Sequence, residues 1–178
     1  MATFGKTDDG ASESSWTIDR VCLSSGSPAS SGTATKLTAR IRIDAAGSCK
    51  VKGIIYADTA GAPSALLAES DEVTISNTAE AAVDLPLSGL NQIAVVSGTT
   101  YWIGYANEDP GSINFVQSRA NTAGQQLRAN DTYSDGVANP YSPTGSANGP
   151  IDCFVTYSEA GGAVPTSAVY MTTRTKFF

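Results

Sequence analysis

Three groups of residues in this sequence are of types that can do chemistry: neighbouring acids, an acidic loop with calcium-like spacing, and a run of aromatics. The acids come as the pairs Asp8/Asp9, Asp71/Glu72 and Glu108/Asp109. The 178-residue chain has no histidine. Ser-His-Asp and Cys-His devices are therefore ruled out, and acid–base work near neutral pH falls to carboxylates. A glycosidase needs only two of them, flanking one sugar bond. Residues adjacent on a strand point to opposite faces, so each pair reads as solvated surface. The expectation is a protein that is not an enzyme, with no catalytic residues.

The segment NDTYSDG, Asn130 to Gly136, sets Asp131, Asp135 and Gly136 at three offsets used by an EF-hand loop. Tyr133 stands at the middle ligand position and Ser142 where the bidentate Glu is required, which excludes an EF-hand. A loosely bound calcium, here or at Asn107 to Asp109, is the one alternative to a chain without metal or cofactor.

The aromatics fall in GTTYWIGYANEDPG, Gly98 to Gly111. Alternation along a strand puts Tyr101, Ile103 and Tyr105 on one face and Trp102 and Gly104 on the other. One face must be core and the other covered or wet. Such rings bury large areas and carry a polar tip to the boundary, which favours packing. The alternative is a carbohydrate-binding module that recognises surface glycans, with Trp102, Tyr105, Tyr133 and Tyr141 as candidate stacking residues. Cys22, Cys49 and Cys153 are widely spaced, form no C-x-x-C pair and have no histidine to complete a zinc site. They read as buried free thiols; a single disulfide of unspecified pairing is the alternative.

The elements that must position these residues are strands. In Thr35 to Asp44, Leu37, Ala39, Ile41 and Ile43 alternate with Thr38, Arg40, Arg42 and Asp44, the period of a strand with one dry face. Lys50 to Asp58 follows after a short Ala-Ala-Gly-Ser connection, which predicts an antiparallel hairpin with it. Ala81, Val83, Leu85 and Leu87 alternate again. Pro86, unable to donate a ladder hydrogen bond, is expected at a strand end or sheet edge. Further strands are predicted at Trp16 to Ser24, Glu72 to Ser76, Tyr101 to Ala106, Asn114 to Ser118 and Ile151 to Tyr157, with a short helical turn at Pro63 to Ala68. Turn clusters such as Gly26-Ser27-Pro28, Gly61-Ala62-Pro63 and Asn139-Pro140 separate them. The fold class is all-β, an antiparallel sandwich or barrel, and the length suits one core.

Asn121 to Gly149, rich in Asn, Gly, Ser and Pro, is expected as a long exposed excursion and a candidate contact surface. The domain is expected to span 1–158. Residues 159–178 form a linker, Gly161-Gly162 to Pro165, and a C-terminal arm that finishes on Phe177 and Phe178. Exposed aromatics at a terminus are an aggregation hazard unless they dock, either on their own sandwich or on a neighbouring subunit. Val169, Tyr170, Met171, Phe177 and Phe178 are the proposed assembly anchors, with Phe4 as an N-terminal counterpart.

The net charge of -6 supplies no positive field for a phosphate backbone, so nucleic acid is not an expected partner. MATFGKTDDG lacks the basic and apolar segments of a signal peptide, and no window approaches the roughly 20 apolar residues that span a bilayer. The expectation is a product made in a cytoplasm, with no membrane partner.

Three fragments together, FGKTDDGASESS, VKGIIYADTAGAPSALLAESDEVTI and SGTTYWIGYANED, resemble a family of small jelly-roll-like β-sandwich domains. Such domains occur in virion proteins of tailed phages and in prokaryotic surface proteins. The likeness covers roughly Ala2 to Tyr157 and is carried best by Ile55, Tyr56, Asp58, Gly61, Pro63, Leu66, Leu67, Tyr101 and Trp102. It implies a jelly-roll-like sandwich and a non-enzymatic module displayed on a particle or cell surface. For this chain it implies a virion structural protein, a capsid decoration or tail-associated accessory protein. Its partners would be capsid or tail subunits, itself in an oligomer or array, and in some members a host-surface glycan.

Overall fold

The computed structural model describes residues 1–7, 12–16, 19–43, 46–108, 115–119, 126–147, 149 and 151–160. In chain order the strands are β1 (Ala2–Gly5), β2 (Ser12–Trp16), β3 (Arg20–Gly26), β4 (Gly32–Ile43), β5 (Cys49–Thr59), β6 (Ala62–Glu69) and β7 (Val73–Ile75). They continue as β8 (Ala81–Pro86), β9 (Ala94–Val95), β10 (Tyr101–Asn107), β11 (Phe115–Arg119), β12 (Gln126–Asn130), β13 (Gly145–Ala147) and β14 (Cys153–Glu159). Two single 3-10 turns, Gly89–Asn91 and Tyr133–Asp135, are the only helical pieces among the described residues. None of these is long and apolar enough to cross a membrane.

The strands form two antiparallel sheets packed face to face. In the first, β1 pairs β14, β14 pairs one edge of β4, and β8 takes the other edge. In the second the order is β3, β10, β5, β6. Taking only β1, β3, β4, β5, β6, β8, β10 and β14, the first sheet runs first–eighth–third–sixth and the second runs second–seventh–fourth–fifth. That is the doubly wound order of a jelly roll. The remaining strands extend it: β11 and β2 continue the first sheet, and β12 and β13 continue the second beyond β3.

Alternation explains the core. On β4, Leu37, Ala39, Ile41 and Ile43 are all fully buried, facing Val51 and Ile55 of β5 and Ile103 of β10 in one cluster. Ala34, an odd number of residues from Leu37, is also fully buried. It turns inward because Thr156 pairs Lys36 while the next residue, Tyr157, pairs Ala34. Thr35 is left without an opposite partner, a bulge that flips the register of faces. Gly53 is required by close approach of the sheets: a Cβ there would lie 2.9 Å from Leu37 Cδ1 and 3.1 Å from Leu85 Cβ. Pro86 closes the edge strand β8, where its missing N–H is harmless.

Four expectations change. The segment Lys50 to Asp58 forms no hairpin with Thr35 to Asp44, because β4 and β5 lie in different sheets. β5 is apolar on both sides, Val51 and Ile55 inward against Ile54 and Tyr56 outward, so it takes a central place between β10 and β6 with cover on both faces. Pro63 to Ala68 is strand rather than helical turn; pairing of β6 with β5, with two register shifts, overrides the local propensity. Trp16 to Ser24 is divided between β2 and β3, one in each sheet. Phe4 is no arm residue. It is 4% exposed and packs between Tyr101 and Tyr157 at ring-centroid distances of 5.8 and 5.9 Å.

β14 ends at Glu159, and the Ala160 N–H donates to the Ser31 carbonyl at 2.9 Å. The proposed anchors Val169, Tyr170, Met171, Phe177 and Phe178 lie outside the described residues, as do Asp8, Asp9 and Asp109.

Candidate functional site

The second sheet is apolar on its outer side as well. Val21 and Leu23 of β3, Ile54 and Tyr56 of β5, Trp102 and Ala106 of β10 and Ala129 of β12 form a second buried cluster there. A half-buried sheet would leave these side chains in water. They are covered instead by the segment Asp131 to Tyr141, which crosses the face as a strap and lays Tyr133, Val137 and Tyr141 on it. The rings of Tyr56 and Tyr141 meet at 5.3 Å between centroids. The described part of the expected exposed excursion is thus largely a structural cover, because the face beneath it needs one.

Polar groups fix the strap along its whole length. Its backbone is held by Asp131 N–H to the Asp19 carbonyl at 3.0 Å and by Tyr141 N–H to the Ser64 carbonyl at 3.2 Å. Side chains add Tyr133 N–H to Asp19 Oδ1 at 3.2 Å, Tyr56 OH to the Ala138 carbonyl at 2.6 Å, and Leu66 N–H to Asn139 Oδ1 at 3.1 Å. The Ser64 and Leu66 contacts occupy the outer edge of β6, which protects an edge strand from pairing with other chains. Trp102 Nε1 donates to Asp58 Oδ1 at 2.7 Å, so the indole is packed and satisfied.

Tyr133 stands in a charged setting. Its hydroxyl donates to Glu72 Oε2 at 3.1 Å, and Lys52 Nζ lies 5.3 Å from its ring centroid. Lys52 pairs with Glu69 at 2.6 Å and Lys50 with Glu72 at 3.1 Å. The Lys50 contact holds the Glu72 carboxyl below its ordinary value and the Lys50 ammonium above its own. Burial, reinforced by Glu72, pushes the Tyr133 hydroxyl up, and burial does the same to Tyr56 and Tyr141. All three are neutral hydrogen-bonding or packing groups at any physiological pH.

Asp131 is different. Its Oδ2 accepts the Ala138 N–H at 2.8 Å, yet desolvation outweighs that bond and, with Asp135 and Asp19 nearby, raises its pKa. Ionising it therefore costs the folded state more than the unfolded one. That cost sets in as pH climbs past the ordinary carboxylate value and is complete above the raised value. Asp131→Asn keeps an acceptor for Ala138 and removes the charge. The variant is expected to melt higher than the parent at pH 7, with the gap closing as pH falls through the carboxylate range. Thermal unfolding across that range checks it; an equal gap at all pH values would contradict the sign.

The four candidate stacking residues do not form a platform. Trp102 and Tyr141 are 6% and 5% exposed beneath the strap, and Tyr105 is 1% exposed on the opposite face, within the inter-sheet core. Tyr133 is half-buried and faces the same sheet from the strap side. The alternation put Tyr105 and Trp102 on opposite faces; the missing fact was that both faces are dry.

The calcium-like segment is part of the strap, with Asp131 turned inward to Ala138 and Asp135 exposed. Among the described residues no three of His, Cys, Asp and Glu converge as metal ligands. Asp71 and Glu72 are exposed, as the solvated-surface reading expects, and Glu108 Oε1 accepts the Lys50 N–H at 2.9 Å. The three cysteines are buried and free, and burial pushes the Cys153 thiol up to about 12, which makes it an inert packing residue. A cleft of about 210 Å³ beside β12 and β13 is lined by Arg20, Arg128, Asn130 and Thr144. Arg20 Nη2 bonds Asn130 Oδ1 at 3.1 Å and Arg128 Nη2 bonds the Ser146 carbonyl at 3.0 Å, so both guanidinium groups are engaged within the protein.

Among the described residues both faces of the second sheet are filled, and Glu72, Lys50 and Lys52 surround Tyr133 on its outer side. No protein-family model matches the chain, and no curated protein sequence matches it.

Proposed function

We propose that this chain is a non-enzymatic structural protein of a phage virion, a capsid decoration or tail-associated accessory protein that works by adhesion in an oligomer or array. The observation that carries the reading is the doubly wound strand order. Jelly rolls recur in viral capsid and lectin domains. Two features of the chain support the virion branch over the lectin branch. Trp102, Tyr105 and Tyr141, three of the aromatics suited to sugar stacking, are packed inside, and a segment carrying Tyr170, Phe177 and Phe178 follows β14, which is complete at Glu159.

In this role the sandwich is the rigid part, and attachment comes from the segment after Ala160. A specific interface needs on the order of 1,000 Å², and an extended segment supplies area without a larger core. The test is the copy number of the protein in purified particles, measured by quantitative mass spectrometry. A fixed stoichiometric number is expected. Absence from particles, or trace and variable amounts, would overturn the reading.

A further inference from the structure

We propose that Lys6 and Asp152 close into an amide between their side chains, a covalent cross-link from the first strand to the last that stands whether or not the chain belongs to a particle. Lys6 Nζ lies 2.9 Å from Asp152 Oδ1, with side-chain exposures of 8% and 1%. Lys36–Asp84 and Lys52–Glu69 are closer, at 2.6 Å, but water reaches both pairs. The ammonium of Lys6 meets Oδ1 outside hydrogen-bond angles. The carboxyl carbon is one bond from Oδ1, which sets nucleophile and carbon near the roughly 3–3.5 Å of a pair ready to react.

Both backbones are fixed at this point. The Asp152 carbonyl accepts the Arg40 N–H of β4 at 2.9 Å, and the Ile151 N–H donates to Ser24 Oγ of β3 at 2.8 Å. On the other side the Lys6 N–H donates to the Cys153 carbonyl at 3.0 Å. Gly5 lets the two segments come this close: its φ is +104°, and a Cβ there would lie 2.6 Å from the Cys153 carbonyl oxygen and 2.5 Å from Ile103 Cδ1. Holding the reactants in one place turns a bimolecular condensation into a step with an effective molarity on the order of 10⁵ M.

The atoms balance without a co-reactant. A proton passes from the ammonium to the carboxylate, which turns the ion pair into an amine and a carboxylic acid, the forms that a dry site penalises least. The Nζ lone pair then attacks Cγ, a C–N bond forms, one Cγ–O bond breaks, and the oxygen leaves with two protons as water. A desolvated lysine amine is a competent nucleophile, and exclusion of bulk water slows the reverse hydrolysis. Until the bond closes, the chain holds the two groups as an ion pair and has the stability of the unlinked sandwich. The link joins the end of β1 to the start of β14 and encloses nearly the whole sandwich, the arrangement in which a cross-link restricts the unfolded chain most.

The test is intact mass spectrometry of the full-length chain under denaturing conditions, on fresh protein and after several days folded in buffer. The parent is expected to weigh one water less than its unlinked sequence, in a fraction that grows with time, and its digest to contain a branched peptide joining Lys6 to Asp152. Lys6→Arg keeps the cation but not the amine and is expected to hold its full mass, as is Asp152→Ala. Parent kept in urea throughout is also expected to hold its full mass, since the unfolded chain does not bring the two groups together. A folded parent that stays at full mass overturns the proposal with no variant needed. So does a loss of water that persists in Lys6→Arg, the mark of a succinimide at an aspartate, or a branched peptide that joins other residues.

Discussion

Trp102→Ala will destabilise the sandwich by about 3–5 kcal/mol, the range for truncating a large buried aromatic. The indole is 6% exposed, lies in one cluster with Val21, Leu23, Ile54 and Tyr56, and has its Nε1 satisfied by Asp58 at 2.7 Å. Truncation opens a cavity between the sheet and the strap, and the strap cannot collapse into it while Asp19, Ser64 and the Tyr56 hydroxyl hold it in place. The magnitude separates two roles. A tryptophan displayed for sugar stacking is a surface residue, and its removal would change stability within about 0.5 kcal/mol. Urea unfolding followed by circular dichroism decides between them. Trp102→Phe should lose less, since it retains the ring and gives up the bond to Asp58, a half-buried carboxylate that water can reach. A Trp102→Ala protein as stable as the parent would mean that the strap is not a cover.

The parts of this fold that were legible in the sequence are those where periodicity alone decides. Leu37, Ala39, Ile41 and Ile43 alternate without interruption, and all four are fully buried. The same alternation separated Tyr105 from Trp102. Illegible were the features that depend on partners distant in sequence. Nothing local in Lys50 to Asp58 says whether it pairs with the segment before it or with β10, fifty residues later. Two-sided apolarity, Ile54 and Tyr56 against Val51 and Ile55, was the available signal, and it marks a strand covered on both faces. Tyr133, Val137 and Tyr141 in a segment otherwise rich in Asn, Ser, Pro and Gly were the matching signal for a cover. Composition hid it, since polar residues dominate the count while three apolar side chains dominate the packing. Phe4 was misplaced for a similar reason: a lone aromatic near a terminus carries no period, and only the pairing of Ala2 to Gly5 with β14 shows which way it points.

Lys6→Met is the second large effect, at about 3–5 kcal/mol. Lys6 Nζ lies 2.9 Å from Asp152 Oδ1, with side-chain exposures of 8% and 1%. Removing the ammonium leaves a carboxylate in a site where water cannot solvate it, which is the costly case; losing both charges is not. The double change Lys6→Met/Asp152→Leu is therefore expected to recover most of the loss, and a double-mutant cycle from urea midpoints measures the coupling. The location makes this more than a stability term. Lys6 follows β1 directly, and its N–H also donates to the Cys153 carbonyl at 3.0 Å, so backbone and side chain together pin the chain where Phe4 enters the core. Without the ammonium, β1 should open before the rest of the sandwich, a local event that hydrogen exchange reads as lost protection at Ala2 to Gly5 and along the facing residues of β14. Uniform loss of protection across both sheets would instead place Lys6 in the global unfolding unit, and an unchanged midpoint would show that the buried pair contributes nothing to holding the N-terminal strand in place.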